Sequence, residues 1–411
     1  MNHIFIIGFV WPEPNSSAAG IRMLQLIHLF LSKNWKITFA SPATHTQHML
    51  DLDALGITTC TIEINNPSFD HLIKKLQPDV VVFDRFMIEE QFGWRVAKHC
   101  PNTLRILNTE DLHSLRKTRQ ECFKKNKKHT FTYLFASDYT KREIASIYRC
   151  DLSLLISDFE MKILKSTFKI EEQLLHYFPL LSDPITSAIK NHWPSFEERE
   201  HFITIGNFRH DPNWNAILYL KQTIWPLIRK EVPQAELHIY GAYPPPKATQ
   251  LDHKNEGFLI KGWAKDAREV VKKSRVCLAP LRFGAGIKGK LVEAMLCGTP
   301  SITTTIGAEG ILGEDSDWSG FIANTPEKIA KAAIALYSNK NMWHQSQQNG
   351  IEIINTRFQK NKHEPILITK IEELLSNLTK HRSQNFIGSM LQFHTLRSTE
   401  FMSRWIEEKH K

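Results

Sequence analysis

No stretch of this sequence is apolar for long enough to cross a bilayer as a helix, which argues against an integral helical membrane protein. Cysteine is sparse and scattered: Cys60, Cys100, Cys122, Cys150, Cys277 and Cys297 include no CxxC pair. A zinc-ribbon site is therefore not expected, and reduced thiols in a cytoplasmic protein are the economical reading. The apolar opening MNHIFIIGFV has no basic region before it and no small-residue cleavage site after it. It reads as a first buried strand and not as a signal peptide. The basic residues mostly do not alternate with aromatics in one patch, and no nucleic-acid module is visible, so nucleic acid is not an expected partner.

What is present is globular. Hydrophobic residues make up 42% and charged residues 23% of 411 positions, a length that suits two domains. Apolar runs at 3–10, 37–40, 80–84 and 103–108 read as strands. A helix at 21–33 carries Ile21, Leu24, Ile27 and Leu31 on one face. A strand at 151–157 and a helix at 159–165 continue the alternation, which predicts an α/β fold with a parallel, doubly wound sheet. Proline and charge then gather at 179–200, the best interdomain linker. A second series follows: strand 201–206, helix 215–230 and strand 235–240, then a stretch at 258–261 that leads into GWAKD and a helix to 274 capped by Asp266. Past residue 310 come 321–322 and helices at 326–338, 342–355 and 366–378.

The chemistry concentrates at 280–310, PLRFGAGIKGKLVEAMLCGTPSITTTIGAEG. A strand at 276–280 runs into a glycine-broken loop at 282–286, then a helix at 287–297 with Ile287, Leu291 and Ala294 on its buried face. Gly298 stands where a left-handed C-terminal residue belongs, Pro300 follows, and 301–306 reads as the next strand. Gly284 and Gly286 let backbone N–H groups approach a ligand. The helix start adds its positive dipole end, and Arg282, Lys288 and Lys290 add full charges. Glu293 lies two turns after Gly286 and leans back over Gly289, where it can accept from two sugar hydroxyls. Phosphate at the loop with a diol one turn below describes a nucleoside diphosphate. The competing reading is an ordinary βαβ turn with solvated lysines.

This stretch resembles the donor-binding motif of the family 4 glycosyltransferases, retaining enzymes with the GT-B fold. The shared residues are Glu293-Ala294-Met295 and the stop Gly298-Thr299-Pro300. The family's second glutamate falls on Glu293 and its first on Ala285, so the carboxylate that in the family touches the transferred sugar is absent here. The Gly-Ala-Gly-Ile-Lys-Gly-Lys variant is itself recognisable within the group. The resemblance implies two Rossmann-like domains facing a cleft. The acceptor side spans 1–180, a linker 181–200 and the donor domain 201–355. From 356 to 411, helices cross back and end in a tail. It implies transfer of a sugar from a nucleotide-diphospho-sugar to an acceptor hydroxyl (glycan, lipid-linked or other), with retention, no metal and no cofactor beyond that co-substrate. Cell-surface polysaccharide biosynthesis is the expected setting. The donor contacts it implies are Gly284, Ala285, Gly286, Ile287 and Lys288, with Glu293 on the ribose. It also implies a glycine near the diphosphate in the first loop, here Gly20 of SSAAGIR, beside which Ser16 and Ser17 could equally cap a helix.

In GNFRHDPNWNA, Asn207 holds the place of the family's arginine, so the phosphate contact passes to Arg209; a surface pair with Asp211 is the alternative. Asn213 is expected to cap the helix 215–230. Gly262 and Trp263 sit where the family passes the base, although for Trp263 core filling weighs more. In NTEDLHSLR, His113 matches a histidine that retaining GT-B enzymes place against the sugar, with Glu110 or Asp111 to orient its ring. The bland version is a solvated histidine with Asp111 as N-cap. Asp84-Arg85 is a second pair, functional or a loop ion pair. The basic run 116–128 is a solvated face or a membrane contact. In the tail, Leu391, Phe393, Leu396, Phe401 and Trp405 are expected to dock on the body. The formal charge of +9 favours an anionic partner, nucleotide-sugar or anionic lipid surface. Because of Ala285, a catalytically weak nucleotide-sugar-binding or partner protein stays open, as does a GT-B sugar-nucleotide epimerase.

Overall fold

The computed structural model describes residues 2–313 and 316–409. Strands β1 (His3–Ile7), β2 (Lys36–Ser41), β3 (Thr58–Thr61), β4 (Val80–Asp84), β5 (Leu104–Glu110), β6 (Leu152–Leu155) and β7 (Leu175–Tyr177) form one parallel sheet in the order 3-2-1-4-5-6-7. Strands β8 (Glu200–Ile205), β9 (Leu237–Tyr240), β10 (Phe258–Gly262), β11 (Ser274–Ala279), β12 (Ser301–Thr303) and β13 (Gly320–Ile322) form a second, in the order 10-9-8-11-12-13.

Side-chain alternation explains why both sheets read as continuous apolar runs. Ile4 and Ile6 of β1, with Val80 and Val82 of β4, enter one core. Phe5 and Ile7, with Val81 and Phe83, enter the core on the opposite face. The second sheet repeats this: Val276 and Leu278 point one way and Cys277 the other.

Strand order reverses between β1 and β4, and again between β8 and β11. Such switch points are where doubly wound sheets bind ligands. The loops leaving them face each other. A Cβ placed on Gly289 would lie 2.5 Å from the Cβ of Ala18, and one on Gly286 2.8 Å from that of Asp111.

Several boundaries differ from expectation for local reasons. The helix Ala18–Ser32 starts early because the Ser17 hydroxyl accepts from Gly20 N at 3.1 Å. The strand expected at 301–306 stops at Thr303, since Thr304 caps a short helix, Thr305–Ala308, through Gly307 N. The helix expected at 215–230 begins at Asp211 and widens into a π segment, Leu220–Ile224, just before Trp225-Pro226. Proline has no N–H to continue the ladder.

The segment expected as linker is held tightly. Ser182 N donates to Phe358 O, and Ile185 N to the side-chain Oδ1 of Asn355. From the helix Lys360–Gln384, Leu367, Ile368, Ile371 and Leu374 join the core of the first sheet. The last helix, Phe386–Lys409, docks on the first domain through Arg95, which pairs with Glu407 and donates to Ser403. Of the tail residues expected to dock, Leu391 is half-buried, whereas Phe393, Phe401 and Trp405 face outward. The Leu396 side chain lies outside the described residues.

Candidate active site

The turn at 280–288 is fixed by its neighbours. Leu281 and Phe283 are buried, the latter against the Phe123 ring at 5.3 Å. Gly286 has φ +63°, and Asp111 leaves no room for a side chain there, so only glycine satisfies both demands. Its N–H donates to Oε1 of Glu160 at 2.7 Å; the same oxygen accepts from Leu112 N at 3.1 Å. Oε2 of Glu160 is buried without a hydrogen-bond partner. Burial, then the neighbouring Asp111, pushes the Glu160 carboxyl up to about 8. An acid from the first domain thus sits on the turn that the sequence assigns to an anion.

The cations divide. Lys288 is buried, donates to Gly286 O at 2.9 Å and lies 4.0 Å from Glu309. Lys290 is drawn to the other glycine turn: its Nζ donates to Asn213 Oδ1 at 2.9 Å, and Asn213 donates to Asn207 O at 3.0 Å. Burial lowers both lysines to about 8. Asn213 is therefore a bridge and not the expected cap. Arg282 turns away from the glycine loop: its Nε donates to Asn215 at 2.8 Å, and its guanidinium lies over the Phe123 and Tyr219 rings. Arg209 is exposed, with its guanidinium 3.8 Å from the Tyr243 centroid. It makes no pair with Asp211, which instead accepts from Gln120 at 2.7 Å.

Glu293 does not extend along Gly289, which Ala18 covers; it accepts from Arg268 Nε at 2.7 Å. Ala285 packs against the first-domain core, and Ile287 shares a cluster with Ile156 and Leu180. Gly20 is buried against the Glu13 backbone, so its lack of a Cβ is needed by the fold of the loop. Gly262, at φ +73°, faces open space. Trp263 is exposed and not core: it donates to Asn15 O at 3.1 Å and stacks on His48 at 4.7 Å.

His113 opens the helix His113–Lys124. Its Nδ1 is 3.0 Å from Asp111 O, 3.2 Å from Asp111 Oδ1 and 3.7 Å from Glu143 Oε1. Burial lowers the ring to about 4, so it is neutral at pH 7. Burial would raise Asp111, but Arg116, donating at 2.7 Å, holds it below the ordinary carboxylate range. Asp111 is not the helix cap. Glu143 takes that role, accepting from His113 N at 2.9 Å and Ser114 N at 3.0 Å. Asp84 and Arg85 make only a 3.9 Å contact, with Arg85 over the Phe9 ring.

Four participants were not singled out in the sequence: Glu160, Glu143, Arg119 and Glu309. Arg119 donates to Gly284 O at 2.8 Å and forms a two-pronged bridge to Glu309 at 2.6 and 2.8 Å. Arg116 and Arg119, read as part of a basic surface run, both turn inward. No local motif marks these residues, because each matters only through a contact between the two domains or between distant helices.

Comparison with known proteins agrees with this architecture. Residues 199–339 match the family described as Glycosyl transferases group 1. No curated protein sequence matches the chain. A glycosyltransferase from Rickettsia africae superposes with a TM-score of 0.65 at 14% identity, covering 92% of this chain and 99% of that one. Sucrose-phosphate synthase from Thermosynechococcus elongatus gives 0.65 at 15% identity, covering 92% and 100%. The pneumococcal O-GlcNAc transferase GtfA, in complex with UDP and GlcNAc, gives 0.65 at 13% identity, covering 91% and 99%. The fold is GT-B: two parallel-sheet α/β domains, the second of which carries the glycosyl transferase match.

Proposed function

We propose that this chain is a retaining glycosyltransferase of the family 4 type, moving a sugar from a nucleotide-diphospho-sugar to an acceptor hydroxyl. One observation carries the reading: an acid oxygen of Glu160 sits on the Gly286 N–H at 2.7 Å, ahead of the helix Gly289–Leu296 and beside buried Lys288, whose Nζ donates to Gly286 O at 2.9 Å. A diphosphate oxygen could replace it there, and Lys288 and Lys290 would then face the charge that grows on the leaving group. Glu160 gives way at low electrostatic cost while it is protonated. The group 1 match over 199–339 supports the class, and GtfA, which holds UDP and GlcNAc, supports a nucleotide-sugar donor.

In this proposal Glu293 leaves Arg268 for the ribose hydroxyls, and neutral His113, steadied by Asp111, meets a hydroxyl of the transferred sugar. The domain division at 181–200 belongs to the same proposal, and the unpaired cysteines fit a cytoplasmic setting. Ala285 favours a second reading, a nucleotide-sugar-binding protein with weak turnover. Incubation with UDP-, GDP- and ADP-sugars separates the two. Nucleotide release that Glu293→Ala abolishes supports the transferase, whereas tight binding with no release rejects it.

A further inference from the structure

The helix Phe386–Lys409 is amphipathic the wrong way round for a helix packed on a protein core. Its docked side is polar: Gln392 donates to Arg149 O at 3.0 Å, Ser403 to Asn65 at 3.0 Å, and Glu407 pairs with Arg95. Gly388 lies where a Cβ would come within 2.2 Å of Tyr148 O, so this side approaches closely and leaves no room for apolar bulk. The opposite side is apolar and open. Phe386 is 76% exposed, Phe401 65% and Trp405 60%, with Met390 between them and Ile387 and Met402 flanking. The steps 386, 390, 401 and 405 keep one face of a 3.6-residue helix. Side chains of this size are usually buried.

We propose that this face seats on a lipid bilayer bearing anionic lipid, with the helix lying in the interface plane and the protein clamped behind it. Two observations select that occupant. The stripe from 386 to 405 is about 29 Å long and about 10 Å wide. Pairing it with a second copy would cover about 300 Å² a side, well below the ~800 Å² of a stable interface. A bilayer has no such minimum, because each inserted side chain adds its own burial.

Charge points the same way. Glu400 is engaged by Lys98 and Arg404, and Glu407 by Arg95. Lys409, 5.2 Å from the Trp405 ring centroid, and Arg404, shared with Glu400, edge the stripe beside Glu408. The chain as a whole carries +9. Aromatic rings beside lysine and arginine suit the headgroup level. Among the described residues no helix is long and apolar enough to span, so the contact is one of lying on the surface.

The test is co-sedimentation of the full chain with phosphatidylcholine vesicles containing phosphatidylglycerol, compared with a Phe401→Ser/Trp405→Ser variant. Both positions are exposed, so the variant should keep its melting temperature and its nucleoside diphosphate binding. The expected result is vesicle binding that falls about tenfold or more in the variant, the order expected from two lost apolar side chains. Absence of vesicle binding, or equal binding by both proteins, overturns the proposal. So does a wild-type dimer in sedimentation velocity that the variant abolishes without any vesicle effect, which would assign the stripe to a second copy. None of these readouts depends on glycosyl transfer.

Discussion

Lys290 and Lys288 stand two residues apart in sequence but serve different turns. Lys288 closes on its own loop at Gly286, and Lys290 reaches the loop after β8 through Asn213. Removing either should weaken binding of a nucleoside diphosphate by about 1.5–3 kcal/mol, the range for hydrogen bonds to charged groups. Arg209→Ala should cost only about 0–1 kcal/mol, since its guanidinium is exposed. Titration calorimetry with UDP ranks the three, and an Arg209 effect equal to that of the lysines would contradict the arrangement. The pH dependence has a definite sign. Both lysines are lowered to about 8 and lose their charge above it, while Glu160, raised to about 8, gains a negative charge over the same range. All three changes oppose a diphosphate, so its affinity should fall as pH rises from 7 to 9. Glu160→Gln should remove part of that fall. His113, lowered to about 4, stays neutral throughout. His113→Ala should lower kcat about 10–100-fold with donor Kd little changed, if the ring meets the transferred sugar. A matching loss in Kd would move His113 to ground-state binding.

At the scale of elements, the helix Gly289–Leu296 shows how an end is finished from outside. Gly298, at φ +63°, turns the chain as its sequence position predicts, but a side chain there would also strike Trp193 at 2.3 Å. Arg199, fully buried at the close of the linker, donates to Cys297 O at 3.0 Å and Thr299 Oγ1 at 2.7 Å. Arg199→Ala should destabilise the protein by about 2–4 kcal/mol, because it leaves buried acceptors unpaired and opens a void. The urea midpoint measures this, and Arg199→Lys should restore little of it, lacking the planar fork. An unchanged midpoint would show the linker to be a passive connection. The helix His113–Lys124 gives the same lesson. Its start lacks a local capping side chain, and Glu143, thirty residues on, supplies one.

The first domain grips the glycine turn through Glu160 on Gly286 and Arg119 on Gly284 O and Glu309, with Gln120 to Asp211 and Tyr243 to Glu13 as further contacts between the domains. If these contacts set the closed geometry, Arg119→Ala should enlarge the radius of gyration seen by small-angle scattering; an unchanged value would mean that other contacts suffice. Strand alternation, the glycine turn, the Gly298 stop and the Asp266 cap were all legible in the sequence, because each is a local pattern of φ, burial and hydrogen bonding. Asp111 lies beside the His113 ring as expected, but Arg282, Glu293 and Trp263 were placed differently by the structure. The partners that decide them, Asn215, Arg268 and His48, come from other parts of the chain. By itself the sequence determined two doubly wound sheets and a glycine turn between a strand and a helix, since backbone propensity and two-sided burial act over a few residues. Only the tertiary structure decided that Glu160 rests on that turn, that Lys290 crosses to the neighbouring loop, and that the last helix turns its aromatics outward. Those outcomes depend on which charged and polar groups meet once both domains have packed, and no spacing along the chain encodes that.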